Sequence, residues 1–222
     1  LFGGYTFRYQ KFLSNFNSNM TPLDRVKLYL ECHERDWVPD QNELFGTKAN
    51  FSWDKIYAKI IPYFDNSLSP IDQVFLADIN GKLLYNWIPL NSSFHNFFNL
   101  KPITPILSKE LMQYAPHLKN SIKYNQKTNI GKLPLREILS KHISSELITP
   151  NKQGFSVNTI NLWNSHGKNI CDYYLDNARI IKDKWINHEW VKKHRKKLDE
   201  KPDVRYVNKF LGLLAFEIWY RI

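Results

Sequence analysis

Cysteine is nearly missing from this sequence, with Cys32 and Cys171 the only two in 222 residues. They stand alone, so they give neither a metal-ligand spacing nor a disulfide framework, and they fit a reducing cytoplasm. Long apolar runs are also lacking. The longest, Phe210 to Phe216, falls far short of a bilayer span. The first residues lack the cationic and apolar regions of a signal peptide. There is no internal repeat, no low-complexity segment and no strand-like alternation, which leaves a mainly α reading. Acids are the minority, 21 against 31 Lys and Arg, for a net charge of +10. That balance favours an anionic partner: a nucleotide, a nucleic acid, a membrane surface or an acidic domain.

What is present is apolar mass. With 43% apolar and 15% aromatic residues, the chain can bury a substantial core and does not read as disordered. Thr21-Pro22-Leu23-Asp24 is a helix start, with a Thr cap, Pro in the first turn and an acid behind it. Leu23, Val26 and Leu30 share a face, and His33 reads as a helix residue without a metal-spaced partner. Residues 40–53 read as a loop and residues 53–64 as a short amphipathic helix. Ser69-Pro70-Ile71-Asp72 starts another helix, with Ile71, Val74, Phe75 and Ile79 inward. Asn80-Gly81 is a stop signal. Residues 85–105, rich in Asn, Ser, Pro and Phe, give no clear element. Ser108 caps a helix bearing Leu111, Met112 and Ala115, and residues 119–129 read as a polar connection. Toward the end, Lys192 to Lys197 is a basic run at a helix end. It reads as solvated rather than as a nucleic-acid patch. The last helix, 204–222, turns Val204, Val207, Leu211, Leu214 and Ile218 inward.

The stretch Gly131 to Phe155 organises the rest. It reads as a cationic turn, a helix carrying Leu135, Ile138, Leu139, Ile143 and Leu147 on one face, a break at Thr149-Pro150, and a second cationic turn. Lys132 and Arg136 sit at the positive end of the helix dipole, where a cation is disfavoured. Free N–H groups beside Gly131 and two cations suit a phosphate or pyrophosphate oxygen. The other reading of the same residues is of cations snorkelling off a buried helix. Lys152-Gln153-Gly154-Phe155 sets another cation in a turn closed by an aromatic. At the start of the chain, Gly3-Gly4 allows a tight turn or a close backbone approach, with Tyr5, Phe7, Tyr9 and Phe12 packing behind it.

The order K-x-x-L-R, helix, K-x-G-F, then Trp163, resembles the asparagine synthetase family. Leu1-Phe2-Gly3-Gly4-Tyr5 with Arg8-Tyr9 resembles the family's L-F-G-G-Y-x-R-Y segment. Pro105-Ile106-Leu107 and the following helix resemble its P-F-L-D segment, and Trp185, Trp190, Val191, His194 and Glu217-Ile218-Trp219 its closing helices. Residues 1–222 are then expected to be one helical region. It would be the C-terminal portion of an ATP-pyrophosphatase-like synthetase domain whose α/β half and S-G-G-x-D-S phosphate loop lie upstream. The chain starts at Leu1, inside a motif, which fits a piece of a longer protein.

The resemblance implies a cytoplasmic ligase that adenylates a small carboxylate, aspartate in the family, and forms an amide with release of AMP and pyrophosphate. ATP is the implied cofactor, with Mg2+ held by residues upstream. A glutaminase domain and a homodimer are the implied partners; nucleic acid and membrane are not. Carried over residue by residue, Lys152 and Lys132 are the candidate catalytic cations. Arg136, Gly154, Gly3 and Gly4 are the candidate nucleotide-binding positions. The departures are specific. Leu90, Ser92 and Ser93 stand on the family's K-x-D-R element, and Lys101 and Ile103 on its Glu-x-Arg pair, whose Glu assists amine deprotonation in some members. Pro150 stands where Arg is usual. A relative with another acceptor, such as a β-lactam or peptide cyclase, or an inactive relative, therefore stays open. So does a basic helical module that binds nucleic acid.

Overall fold

The structure is a computed structural model that describes residues 1–33, 37–144, 148 and 158–222. Helices α1 (Thr6–Asn15), α2 (Pro22–Glu31), α3 (Gln41–Leu44), α4 (Trp53–Ile60) and α5 (Pro70–Ala77) come first. A π-helical stretch, Asp78–Trp87, leads into α6 (Ile88–Phe97). Then follow α7 (Lys109–Tyr114), α8 (Asn120–Lys123), the hairpin β1 (Tyr124–Asn125) and β2 (Ile130–Gly131), and α9 (Leu133–Ser140). The chain closes with α10 (Thr159–Leu162), a second π stretch (Trp163–Gly167), α11 (Lys168–Leu175), α12 (Arg179–Lys182), α13 (His188–Glu200) and α14 (Val204–Arg221). It is mainly helical, as the sequence predicts.

The chain divides into two compact units. Unit 1 is Leu1–Cys32 with Tyr57–Lys152, and unit 2 is His33–Ile56 with Gln153–Ile222.

Unit 1 is built on an aromatic core. Tyr9 meets Phe75 edge-on at 4.8 Å and Tyr124 at 5.3 Å, while Phe64 packs against Phe12 and Tyr29. Each such ring contributes about 1.5–3 kcal/mol by leaving water. The predicted caps form. Thr21 and Asp24 make a reciprocal capping box on α2, and the Ser69 hydroxyl accepts from the Asp72 N–H on α5. Two expectations fail here. Phe7 is exposed, because α1 turns Arg8, Tyr9 and Phe12 inward instead. Asn80-Gly81 does not stop the helix. The chain runs on in π register through Gly81 and into α6, with Asn80 Nδ2 donating to the Leu76 carbonyl at 2.9 Å. The unreadable stretch is thus largely helix, with Phe94, Phe97 and Phe98 exposed.

Unit 2 packs α14 against α10, α11, α12 and α13. Trp163 and Trp190 both lie against Phe210, at 5.8 and 6.0 Å. The buried face of α14 is Val207, Phe210, Leu213 and Glu217; of the predicted positions Val207 is buried, Leu211 and Leu214 pack partly buried against the same core, and Ile218 is exposed. This helix is apolar nearly all round, so periodicity alone leaves its rotation open. The two indoles and the N-terminus of α12 select the face that carries a ring and a carboxylate.

Candidate functional site

Four of the sequence-predicted site residues come together in unit 1. The hairpin pairs Tyr124 with Gly131, and Asn125 Oδ1 closes its turn by accepting from the Lys127 and Thr128 N–H groups. The hairpin delivers Gly131-Lys132 against the first residues of the chain. The Lys132 N–H donates to the Phe2 carbonyl at 2.9 Å. A Cβ added to Gly131 would stand 1.8 Å from the Gly3 carbonyl oxygen, so only glycine permits this crossing. Gly3 itself has φ +70°, the left-handed region that favours glycine. A Cβ at Gly4 would come within 2.9 Å of Lys132 Cε, so the aliphatic stem of Lys132 lies across Gly4.

Lys132 takes φ 58°, ψ 33° at the N-cap of α9, a conformation that costs a non-glycine residue roughly 1–2 kcal/mol. No side chain caps this helix start. Pro134 falls in its first turn, as expected. Arg136, one turn along, donates from Nε to the Gly131 carbonyl at 3.0 Å and so ties α9 back to the crossing. α9 ends at Ser140, short of the predicted break, and Ile138, Leu139 and Ile143 are exposed. The bland alternative of cations on a buried helix therefore does not describe α9. Lys152, Gly154, Phe155 and Pro150 lie outside the described residues.

Two features beneath the crossing were not predicted. Lys123 is buried just before β1. Its Nζ donates to the Ala115 and Pro116 carbonyls, each at 3.4 Å, and faces the Phe75 ring at 4.8 Å. Burial draws its ammonium below the usual lysine range, against a weaker pull from Asp72. Arg8, from the L-F-G-G-Y-x-R-Y segment, is buried and ion-paired with buried Asp78 at the head of the π stretch. The Tyr29 hydroxyl donates to the same carboxylate oxygen at 2.9 Å. Desolvation raises the Asp78 carboxyl above the ordinary carboxylate range despite Arg8 and Tyr29. No sequence signal marks a lysine or an Arg–Asp pair for burial, because these residues are usually exposed.

The departures sit elsewhere on unit 1, where Lys101 and Ile103 are exposed, as are Leu90 and Ser93. Among the described residues no group of three or more His, Cys, Asp or Glu is placed to hold a metal ion, so these residues offer no Mg2+ site. No described helix is long and apolar enough to cross a membrane. The basic run on α13 is not uniformly solvated. His194 is buried, and Arg195 forks onto Asp172 while its Nη1 reaches Asp199 at 2.8 Å. Broken up in this way, it is not a continuous cationic face.

No curated protein and no solved structure matches the chain. The asparagine synthase family model matches residues 1–221. The segments that resemble asparagine synthetases are thus parts of one continuous match, and the chain belongs to the asparagine synthase family of ATP-dependent carbon–nitrogen ligases.

Proposed function

We propose that this chain forms part of a ligase that converts a small carboxylate, aspartate by family resemblance, to its acyl-adenylate and passes the acyl group to an amine. The observation that carries the reaction class is the family match over residues 1–221. Bound ATP would supply the adenylyl group and the pyrophosphate leaving group.

The residues at the crossing fit an anionic ligand. Lys132 brings an ammonium to an uncapped helix start, where N–H groups and the dipole already favour negative charge. Gly4, which is exposed, leaves room for the lysine stem and exposes backbone beside it. Arg136 holds α9 in place through the Gly131 carbonyl and adds a second positive charge. Lys152 and Gly154, by their match to K-x-G-F, are assigned the second cationic turn. Positive charge fixed before reaction stabilises charge that grows on a departing phosphate, and such stabilisation commonly lowers the barrier more than any other single effect. We assign the phosphate loop to an upstream α/β half. Lys101, standing on the family's Glu, fits a relative with an acceptor other than the usual ammonia and equally one that has lost activity.

The test is pyrophosphate exchange into ATP by the complete protein, with candidate carboxylates. Lys152→Ala is expected to abolish exchange. Lys132→Ala is expected to slow it about 100-fold, the scale of one lost transition-state contact. An unchanged rate in either variant removes that residue from the site. Mass spectrometry of the product separates an amide from an internally cyclised acceptor.

A further inference from the structure

In unit 2, His194 lies in the middle of a basic run, yet its side chain is only 2% exposed. Both of its ring nitrogens face oxygen. Nδ1 is 2.9 Å from the Trp190 carbonyl and Nε2 is 2.7 Å from Asp40 Oδ2. A carbonyl only accepts, so Nδ1 carries a proton. The second contact then needs its own proton between Nε2 and Oδ2; without it, two lone pairs would meet at bonding distance. The remaining neighbours of Asp40 are donors, with Trp190 Nε1 at 3.1 Å and the Tyr206 hydroxyl at 3.0 Å. The Trp190 and Tyr206 rings stack on the imidazole at 4.2 and 4.6 Å and fix its plane. A flipped ring would turn carbons toward both oxygens.

Asp40 stands at the N-cap of α3, yet its side chain makes no capping bond. It reaches across to α13 and α14 instead. From the Asn187 Nδ2 bond to the Glu43 carbonyl, at 3.0 Å, and the backbone bonds of Asn187 to Leu44 and of Gly46 to Trp185 onward, the segment is held without it.

We propose that Asp40 and His194 form a proton-dependent latch that fastens residues 37–43 to α13 and α14, closed while the pair shares its proton and open once that proton leaves.

The other charges facing the ring do not decide its state. An open cavity of about 380 Å³ beside His194 is lined by Lys197, Glu200, Lys201 and Asp203, whose two positive and two negative charges offset each other. Lys193 and Glu43, 3.6 Å apart, form a separate exposed pair. Burial and Asp40 hold the Tyr206 hydroxyl up at about 12, so it remains a donor through neutral pH. The contact requires a bound proton. Its contribution is therefore present while the pair holds that proton and is lost when the proton leaves as pH rises.

The test pairs histidine-ring NMR with amide hydrogen exchange on the full chain, from about pH 5 to about 9. Of the seven histidines, His194 is assigned by the signal missing in His194→Gln. In the wild type, loss of its second ring proton should coincide with a loss of protection of about tenfold or more at residues 37–43. That is the scale of one charge-assisted hydrogen bond. Protection of α11, after correction for intrinsic rates, should not change. Asp40→Asn should remove the step, and Tyr206→Phe should lower protection at every pH while keeping it. Protection that stays flat across the titration overturns the latch, and so does a step that persists in Asp40→Asn. Should Asp40→Asn fail to fold, coincidence of the two transitions in the wild type and in Tyr206→Phe decides between the same outcomes.

Discussion

Among the described residues each unit buries one carboxylate, and the two respond to burial in opposite ways. In unit 1, Asp78 receives Arg8 and Tyr29 on a single oxygen, Oδ1, while Oδ2 has no partner among the described residues. Desolvation wins there, and the carboxyl is raised. In unit 2, Glu217 is wholly buried, and desolvation again pushes upward. Yet its Oε1 accepts from the Arg179 N–H at 2.9 Å and from Arg221 Nε at 2.6 Å, and its Oε2 accepts from the Ile180 N–H at 3.0 Å. Those donors outweigh burial, and the carboxyl is lowered. Donors on both oxygens accompany the lowered carboxyl, and donors on one oxygen alone the raised one.

Breaking the better-satisfied site should cost most. Glu217→Ala strands two N–H groups at the start of α12, together with Arg221. It is expected to destabilise the chain by about 4 kcal/mol in urea denaturation. A loss below about 1 kcal/mol would mean that these donors find other partners and that the contrast with Asp78 is void.

Arg8→Met comes next. It leaves a buried carboxyl without its ion-pair partner and is expected to cost about 3 kcal/mol. Adding Asp78→Asn should recover most of that, to within about 1 kcal/mol of the wild type, because the pair itself nearly offsets its own desolvation. Failure of the double variant to recover would show that Arg8 acts through its contact with the Tyr5 ring, 4.7 Å away, rather than through Asp78.

The smallest effect is a difference in slope. A carboxyl lowered in the folded state stabilises above its unfolded value, 4.5 for Glu, and that stability is lost as pH falls through the folded value. A carboxyl raised in the folded state does the reverse, and its contribution fades as pH climbs past 3.8. Thermal denaturation across the acid range should therefore show Glu217→Gln losing the acid-side decline. Asp78→Asn should flatten the opposite trend. The same slope in both variants would contradict the contrast.

How much of this was legible in the sequence follows the physics of each signal. Caps are local: Thr21 with Asp24, and Ser69 with Asp72, involve residues three apart, and both form as read. The glycines and cations of the candidate site were legible as types, and Gly131 against Gly3 gives their meeting a steric reason. What sequence could not give was rotation and long-range pairing. α14 offers apolar residues on every side, so Trp163 and Trp190 had to choose its face. Asp40 finds His194 more than 150 residues away, inside a run that read as solvated charge. Asn80-Gly81 is a common stop signal, yet the chain runs on through it in π register.

Glycine at position 132 would adopt the left-handed backbone at the mouth of α9 without strain, and its N–H would still reach the Phe2 carbonyl. The chain carries lysine there instead, and so bears a strain of about 1–2 kcal/mol against which the packing of its stem across Gly4 must be set. The stability of Lys132→Gly would read the balance of the two.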